Sequence, residues 1–139
     1  MRILAFDYGT KRVGLAVTDP LQLIATVLDT VHAKDVLAYV KAYVEREAVS
    51  TFVVGEPRQL DGSASKSAQH VKGFIRTLRR TFPTIPVETM DERFTSKMAS
   101  TSIAQSGMTK KKRQNKGLID GVSAVLILQS YLERRDFQQ

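Results

Sequence analysis

Two strand-like runs at the start of the chain, Arg2 to Tyr8 and Val13 to Thr18, are separated only by Gly9-Thr10-Lys11-Arg12. So short a connection joins antiparallel neighbours, because parallel strands need a crossover of about a dozen residues or more. The chain is thereby committed to open with a β-hairpin, and Leu23 to Thr30 is expected to add a third strand. The period then changes. Val36, Leu37, Val40, Tyr43 and Val44 recur at helical spacing between Lys34 and Ala48, and Thr51 to Gly55 is a short buried-strand run.

Ser63 or Ser65 is the expected cap of a second helix that buries Ala68, Val71, Ile75, Leu78 and Phe82 and stops at Pro83 and Pro86. A strand from Val87 to Met90 follows. Thr95 is a good N-cap for a helix running to about Ser106, with Gly107 as its stop, and a largely buried final helix is expected from Lys116 to Arg134. This order predicts an α/β fold with a mixed five-stranded sheet, an antiparallel three-strand meander plus parallel strands, and helices on both faces. With 139 residues and no repeat, low-complexity tract or linker, a single domain over 1–139 is expected.

The formal charge of +7 is uneven: Lys110, Lys111, Lys112, Arg113 and Lys116 lie in one acid-free stretch, and removing them leaves +2. A concentrated cationic stretch points to a polyanionic partner, nucleic acid being the usual one. There is no cysteine, so any metal must sit on oxygen or histidine ligands. The longest apolar run, Val122 to Leu128, is far below the roughly 20 residues of a membrane span, which predicts a cytoplasmic protein with no membrane partner.

Three acids stand where chemistry is expected. Asp7 ends the first apolar strand just before the Tyr8-Gly9 turn, Glu92 follows the strand at Val87 to Met90, and Asp120 interrupts the apolar final helix beside Gly121, Ser123 and Ala124. A carboxylate at the end of a buried strand is costly unless compensated. Three separated carboxylates form an all-oxygen site suited to Mg²⁺ or Mn²⁺. Two such ions about 3.5 to 4 Å apart serve phosphodiester hydrolysis, with Asp7 bridging them and Glu92 and Asp120 holding one each. Lys11, Arg12, Arg93 and the five cations from Lys110 to Lys116 are the expected nucleic-acid contacts, although Arg93 has an equal alternative as a bridge to Asp91 or Glu92. His32 and His70 fit no ligand pattern and are expected at the surface.

Read in order, Asp7-Tyr8-Gly9-Thr10-Lys11-Arg12-Val13-Gly14, Val54-Gly55-Glu56-Pro57 with Asp61-Gly62, Asp91-Glu92-Arg93-Phe94-Thr95, and Asp120 with Ser123-Ala124 resemble the successive signatures of the YqgF/RuvX family. The resemblance covers nearly the whole chain. It implies an RNase H-like fold and a Holliday-junction-resolvase-like, divalent-metal-dependent nuclease that processes the 5′ end of pre-16S ribosomal RNA in the cytoplasm. Two positions depart from the pattern: Ser123 replaces an alanine, and Glu56 replaces an apolar residue. Because related resolvases carry a second acid on the strand of Glu56, this residue is a rival to Glu92 as a metal ligand, although an exposed loop acid is the preferred reading.

Three rival readings remain. One is a resolvase of branched DNA, which would want a symmetric dimer, whereas the sequence points only to a monomer or weak homodimer. Another is a non-catalytic nucleic-acid-binding protein. The third follows from Asp7-x-Gly9-Thr10-x-x-x-Gly14, which also resembles the phosphate hairpin of the sugar kinase, actin and Hsp70 superfamily; those proteins need two such domains, and this chain has length for one.

Overall fold

The structure, a computed structural model, describes residues 1–56, 68–91 and 116–138. Strands β1 (Arg2–Tyr8), β2 (Arg12–Thr18) and β3 (Ala25–His32) lead through a short 3-10 turn, Ala33–Asp35, into helix α1 (Val36–Arg46). Then come β4 (Val49–Glu56), α2 (Ala68–Thr81), β5 (Val87–Asp91) and a long helix, α3 (Lys116–Gln138). The sheet order is β3-β2-β1-β4-β5. β1, β2 and β3 pair antiparallel, while β4 runs parallel to β1 and β5 parallel to β4, as the element order predicts. The helices expected to begin at Ser63 or Ser65 and to span Thr95 to Ser106 have those parts outside the described residues.

Alternation along the strands divides the core in two. Leu4, Phe6, Leu15, Phe52 and Val54 face α1 and α2, where they meet Val40, Phe74, Ile75 and Leu78. On the other face Ile3, Ala5, Ala16 and Val53 pack against Ala124, Ile127, Leu128, Tyr131 and Leu132 of α3. The first layer is aromatic: Phe6 meets Phe52 and Phe74 edge-on at 5.6 and 5.3 Å, and Tyr8 stacks on Phe74 at 4.4 Å. The second layer has alanines on both sides, which lets α3 lie close to the strands.

Several boundaries differ from those expected, each for a local reason. β3 starts at Ala25 and not at Leu23, because Asp19 draws the preceding chain into a tight loop by accepting the N–H groups of Leu21, Leu23 and Ile24 at 3.1, 2.7 and 2.8 Å. Gln22 in that loop has φ of 60°, in the left-handed region. α1 ends at Arg46, since Glu47 is already extended and Ala48 accepts the Arg2 N–H at 2.8 Å, bringing the chain into β4. α3 continues past Arg134 because Arg135 donates to the Gln22 side chain and Tyr131 to a Glu88 carboxylate oxygen. Burial, with that hydrogen bond, pushes the Tyr131 hydroxyl up to about 12.

Ser123 is fully buried between α3 and the sheet, and its hydroxyl has no hydrogen-bond partner among the described residues. An unmade hydrogen bond in such a place costs about 1 to 3 kcal/mol. Ser123→Ala is therefore expected to raise stability by about 1 kcal/mol, measured as a higher midpoint of denaturant unfolding at unchanged slope. A lower midpoint would show that the hydroxyl is satisfied in solution.

Candidate active site

Asp7 lies in phase with Ile3 and Ala5, so it belongs to the face of the sheet that α3 covers. It is half-buried near the carboxyl end of β1, where the apolar run before it predicts a strand-end carboxylate. Opposite it in β2 stands Gly14, and opposite Gly14 in β3 stands Thr30. The buried glycine itself puts no side chain beside the carboxylate.

Two further features build this end of the sheet. The Gly9 N–H donates to the Arg12 carbonyl at 2.9 Å, and a Cβ at Gly9 would lie 2.8 Å from that same oxygen, so the turn admits only glycine. The tight turn leaves Lys11 and Arg12 exposed immediately beyond Asp7, where the sequence predicts phosphate contacts. In β3 the register slips between Leu15 and Ala16 of its partner, adding one residue. Val27 and Thr30 thereby come to the same face although they are three apart, and both lie against Gly121 of α3. A Cβ there would meet the Val27 Cγ1 at 3.0 Å and the Thr30 Oγ1 at 3.9 Å. Gly121 thus seats the start of α3 against Val27 and Thr30, and Thr30 is in register with Gly14 and, through it, with Asp7.

Asp120 precedes Gly121 in the helix and stands one turn before Ala124, which is buried against Ala5 and Ala16. Asp7 is likewise one step beyond Ala5 on its face of β1. The fold consequently brings the backbone positions of Asp7 and Asp120 to the same end of the same layer; the side chains of Asp120 and Lys116 lie outside the described residues. Glu92, Arg93, Lys110, Lys111, Lys112 and Arg113 also lie outside them. Among the described residues, no three His, Cys, Asp or Glu side chains form a cluster able to hold a metal ion.

Glu56 is placed clearly. It is the last residue of β4, in phase with Phe52 and Val54, and so belongs to the face covered by α2, opposite that of Asp7. There it lines a groove of about 340 Å³ with Lys72, Ile75, Arg76, Arg79 and Thr89. The expectation of an exposed loop acid is corrected: Glu56 is a partly buried strand residue, registered against Asp91 of β5. The two histidines are exposed, and His32 caps the 3-10 turn by accepting the Lys34 N–H at 3.1 Å.

Reading the sequence for carboxylates misses the residues that shape the surroundings of Asp7. Thr30 carries a signal only once the register slip is known, whereas Gly14 is visible within the turn motif and Gly121 as a small residue beside Asp120.

The family model described as "RuvX: Holliday junction resolvase" matches residues 1–134. A Porphyromonas gingivalis protein named "Putative pre-16S rRNA nuclease" is 50% identical over 135 residues, covering 97% of this chain and 98% of that protein. One of the same name from Bacteroides thetaiotaomicron is 46% identical over 136 residues, covering 98% and 99%. Among solved structures, the Fowlpox virus resolvase in complex with Holliday junction DNA superposes with a TM-score of 0.61 at 15% identity, over 96% of this chain and 98% of that one. T. thermophilus RuvC in complex with a Holliday junction substrate gives 0.59 at 16% identity, over 99% and 96%. At such identities these structures share the fold, which is RNase H-like.

Proposed function

The chain belongs to the family described as RuvX, Holliday junction resolvase, and from that premise we propose that it is a single-domain, divalent-metal-dependent endonuclease that processes the 5′ end of pre-16S ribosomal RNA in the cytoplasm. The observation that carries this reading is the position of Asp7: a half-buried carboxylate at a strand end, bordered by Gly14 and facing the start of the helix that bears Asp120. The names of relatives at 46 to 50% identity over nearly the full chain supply the RNA substrate. No helix among the described residues is long and apolar enough to cross a membrane.

Asp7, Glu92 and Asp120 are the proposed metal ligands. The donor set fits Mg²⁺ or Mn²⁺, since every donor is a carboxylate oxygen. Bound ions, two in the mechanism proposed, supply a nucleophilic water and neutralise charge on the phosphoryl oxygens. The chain itself places Asp7 on β1 and Asp120 on α3 and excludes water on the buried side through Ala5, Ala16 and Ala124. Lys11 and Arg12 orient the substrate by its phosphates from the turn beyond Asp7. Arg93, Lys110, Lys111, Lys112, Arg113 and Lys116 extend that contact, with the chain acting as a monomer or weak homodimer.

Glu92 is preferred to Glu56 as the second acid. It follows Met90 by two positions, and Met90 packs against the α3-side core, whereas Glu56 is on the opposite face. Glu56→Gln is accordingly expected to cleave within about twofold of the wild type, and Glu92→Gln to lose about a hundredfold or more, as befits a ligand whose loss costs several kcal/mol. The assay offers precursor ribosomal RNA and a four-way DNA junction side by side, with Mg²⁺ and Mn²⁺. If Glu56→Gln abolishes cleavage while Glu92→Gln does not, the ligand assignment is wrong. Preferential cutting of the junction would favour the branched-DNA reading suggested by the substrates of the two resolvase structures.

A further inference from the structure

Among the described helices, α2 alone contains no acidic residue. It lies in a longer stretch, between Asp61 and Glu88, that holds Lys66, Lys72, Arg76, Arg79 and Arg80 and no acid. Set aside those five cations and the five from Lys110 to Lys116, and the rest of the chain carries a net charge of −3. Four of these cations, Lys72, Arg76, Arg79 and Arg80, lie on α2 and so outside the basic loop.

Lys72, Arg76, Arg79 and Arg80 all lie outside the buried side of the helix, which is Val71, Phe74, Ile75 and Leu78. Lys72 and Arg76, and again Arg76 and Arg80, are four apart and so neighbours on the helix surface, where like charges oppose helix formation. Arg79 and Arg80 gain from the helix C-terminus, and Arg79 donates to the Val87 carbonyl at 3.2 Å. Neither compensation serves Lys72, near the start, or Arg76, in the middle. Basic residues clustered along one helix with no acid among them are the electrostatic footprint of a nucleic-acid contact. Glu56 and Thr89, at the carboxyl ends of β4 and β5, line the groove below these cations. Tyr8 also stacks on Phe74, which fixes the first half of α2 at the same end of the sheet as Asp7 but on the other face.

We propose that the ridge of Lys72, Arg76 and Arg80 is a second nucleic-acid site, which holds the phosphodiester backbone of substrate that extends beyond the cleavage site. This inference rests on the nuclease reading above. The ridge binds backbone without reading sequence, and it contributes to affinity for long substrates and not to the chemical step.

The test uses the full chain with Lys72→Gln, Arg76→Gln and Arg80→Gln combined, and follows binding of a long RNA duplex and of a short one across a salt series. For the long duplex, the dependence of log affinity on log salt should flatten by about 0.7 to 0.9 for each phosphate that the ridge no longer neutralises. The short duplex should bind as it does to the wild type, and kcat on saturating long substrate should be unchanged while KM rises. A charge-preserving variant, Arg76→Lys with Arg80→Lys, should keep the wild-type slope, and thermal unfolding should show all variants folded. An unchanged slope in the triple variant overturns the proposal, as it would if α2 met an acidic protein instead, yet leaves the nuclease reading intact while cleavage persists. Equal losses on both duplexes, or loss in the charge-preserving variant, also overturn it. A wild-type chain that binds neither duplex overturns both.

Discussion

Asp7→Asn is expected to lose metal-dependent cleavage by about a thousandfold or more, since the loss of a proposed metal ligand would remove several kcal/mol of charge stabilisation in the transition state and each 1.36 kcal/mol is a factor of about ten. Substrate binding should survive, because Lys11, Arg12 and the more distant cations are untouched. Stability without metal should hold or rise: on the proposed site, three carboxylates brought together would repel one another, and neutralising one would relieve that repulsion. The variant should also lack the rise in thermal midpoint that Mg²⁺ or Mn²⁺ gives the wild type by binding the folded chain. Cleavage, RNA affinity and unfolding with and without metal, measured on one preparation, separate this outcome from its opposite. An aspartate that only supports the turn would cost stability when replaced and leave the rate per folded molecule unchanged; that result would remove the catalytic reading.

The second large effect is expected one residue away, with the opposite signature. Phe6 is fully buried and touches the rings of Phe52 and Phe74, so Phe6→Ala opens a cavity in the middle of the α1 and α2 layer. Large-to-small changes of this kind cost about 3 to 5 kcal/mol, a large part of the roughly 5 to 15 kcal/mol that holds a domain folded. The thermal midpoint should fall by roughly 10 °C or more. Whatever protein remains folded should cleave at a rate close to the wild type, because Phe6 and Asp7 point to opposite faces. A small change in midpoint would mean that Phe52, Phe74 and Phe82 repack into the space.

These two neighbours show how far local pattern reaches. The apolar run into Asp7 and the short turn after it disclose the hairpin, the central strand and the strand-end carboxylate, since each depends only on nearby residues. The parallel placement of β4 and β5 also follows from the order of elements. The face occupied by Glu56 is not legible in the sequence. With a period of two, one residue of uncertainty in where β4 begins reverses every side chain, and only its register with β1 and β5 resolves this. The slip in β3 that brings Val27 and Thr30 together under Gly121 has no local signature either. In the same way, the apolar face of α2 is plain from its periodicity, while its cations gain meaning from the groove and the strand ends beside them.

The packing of α3 over the first strands also sets an order of events during synthesis. β1, β2 and β4 can assemble their α1 and α2 side early, but Ile3, Ala5, Ala16 and Val53 wait for a helix that begins at Lys116. At translation speeds of about 5 to 20 residues per second, that face stays bare for roughly 5 to 20 s after Asp7 has been made. Throughout that interval the nascent chain presents an uncovered apolar sheet to its surroundings, a hazard for association with other unfinished chains. The same delay keeps Asp7 and Asp120 apart, so on the proposed site a ribosome-bound fragment cannot cleave RNA, and competence to cleave arrives with the last helix.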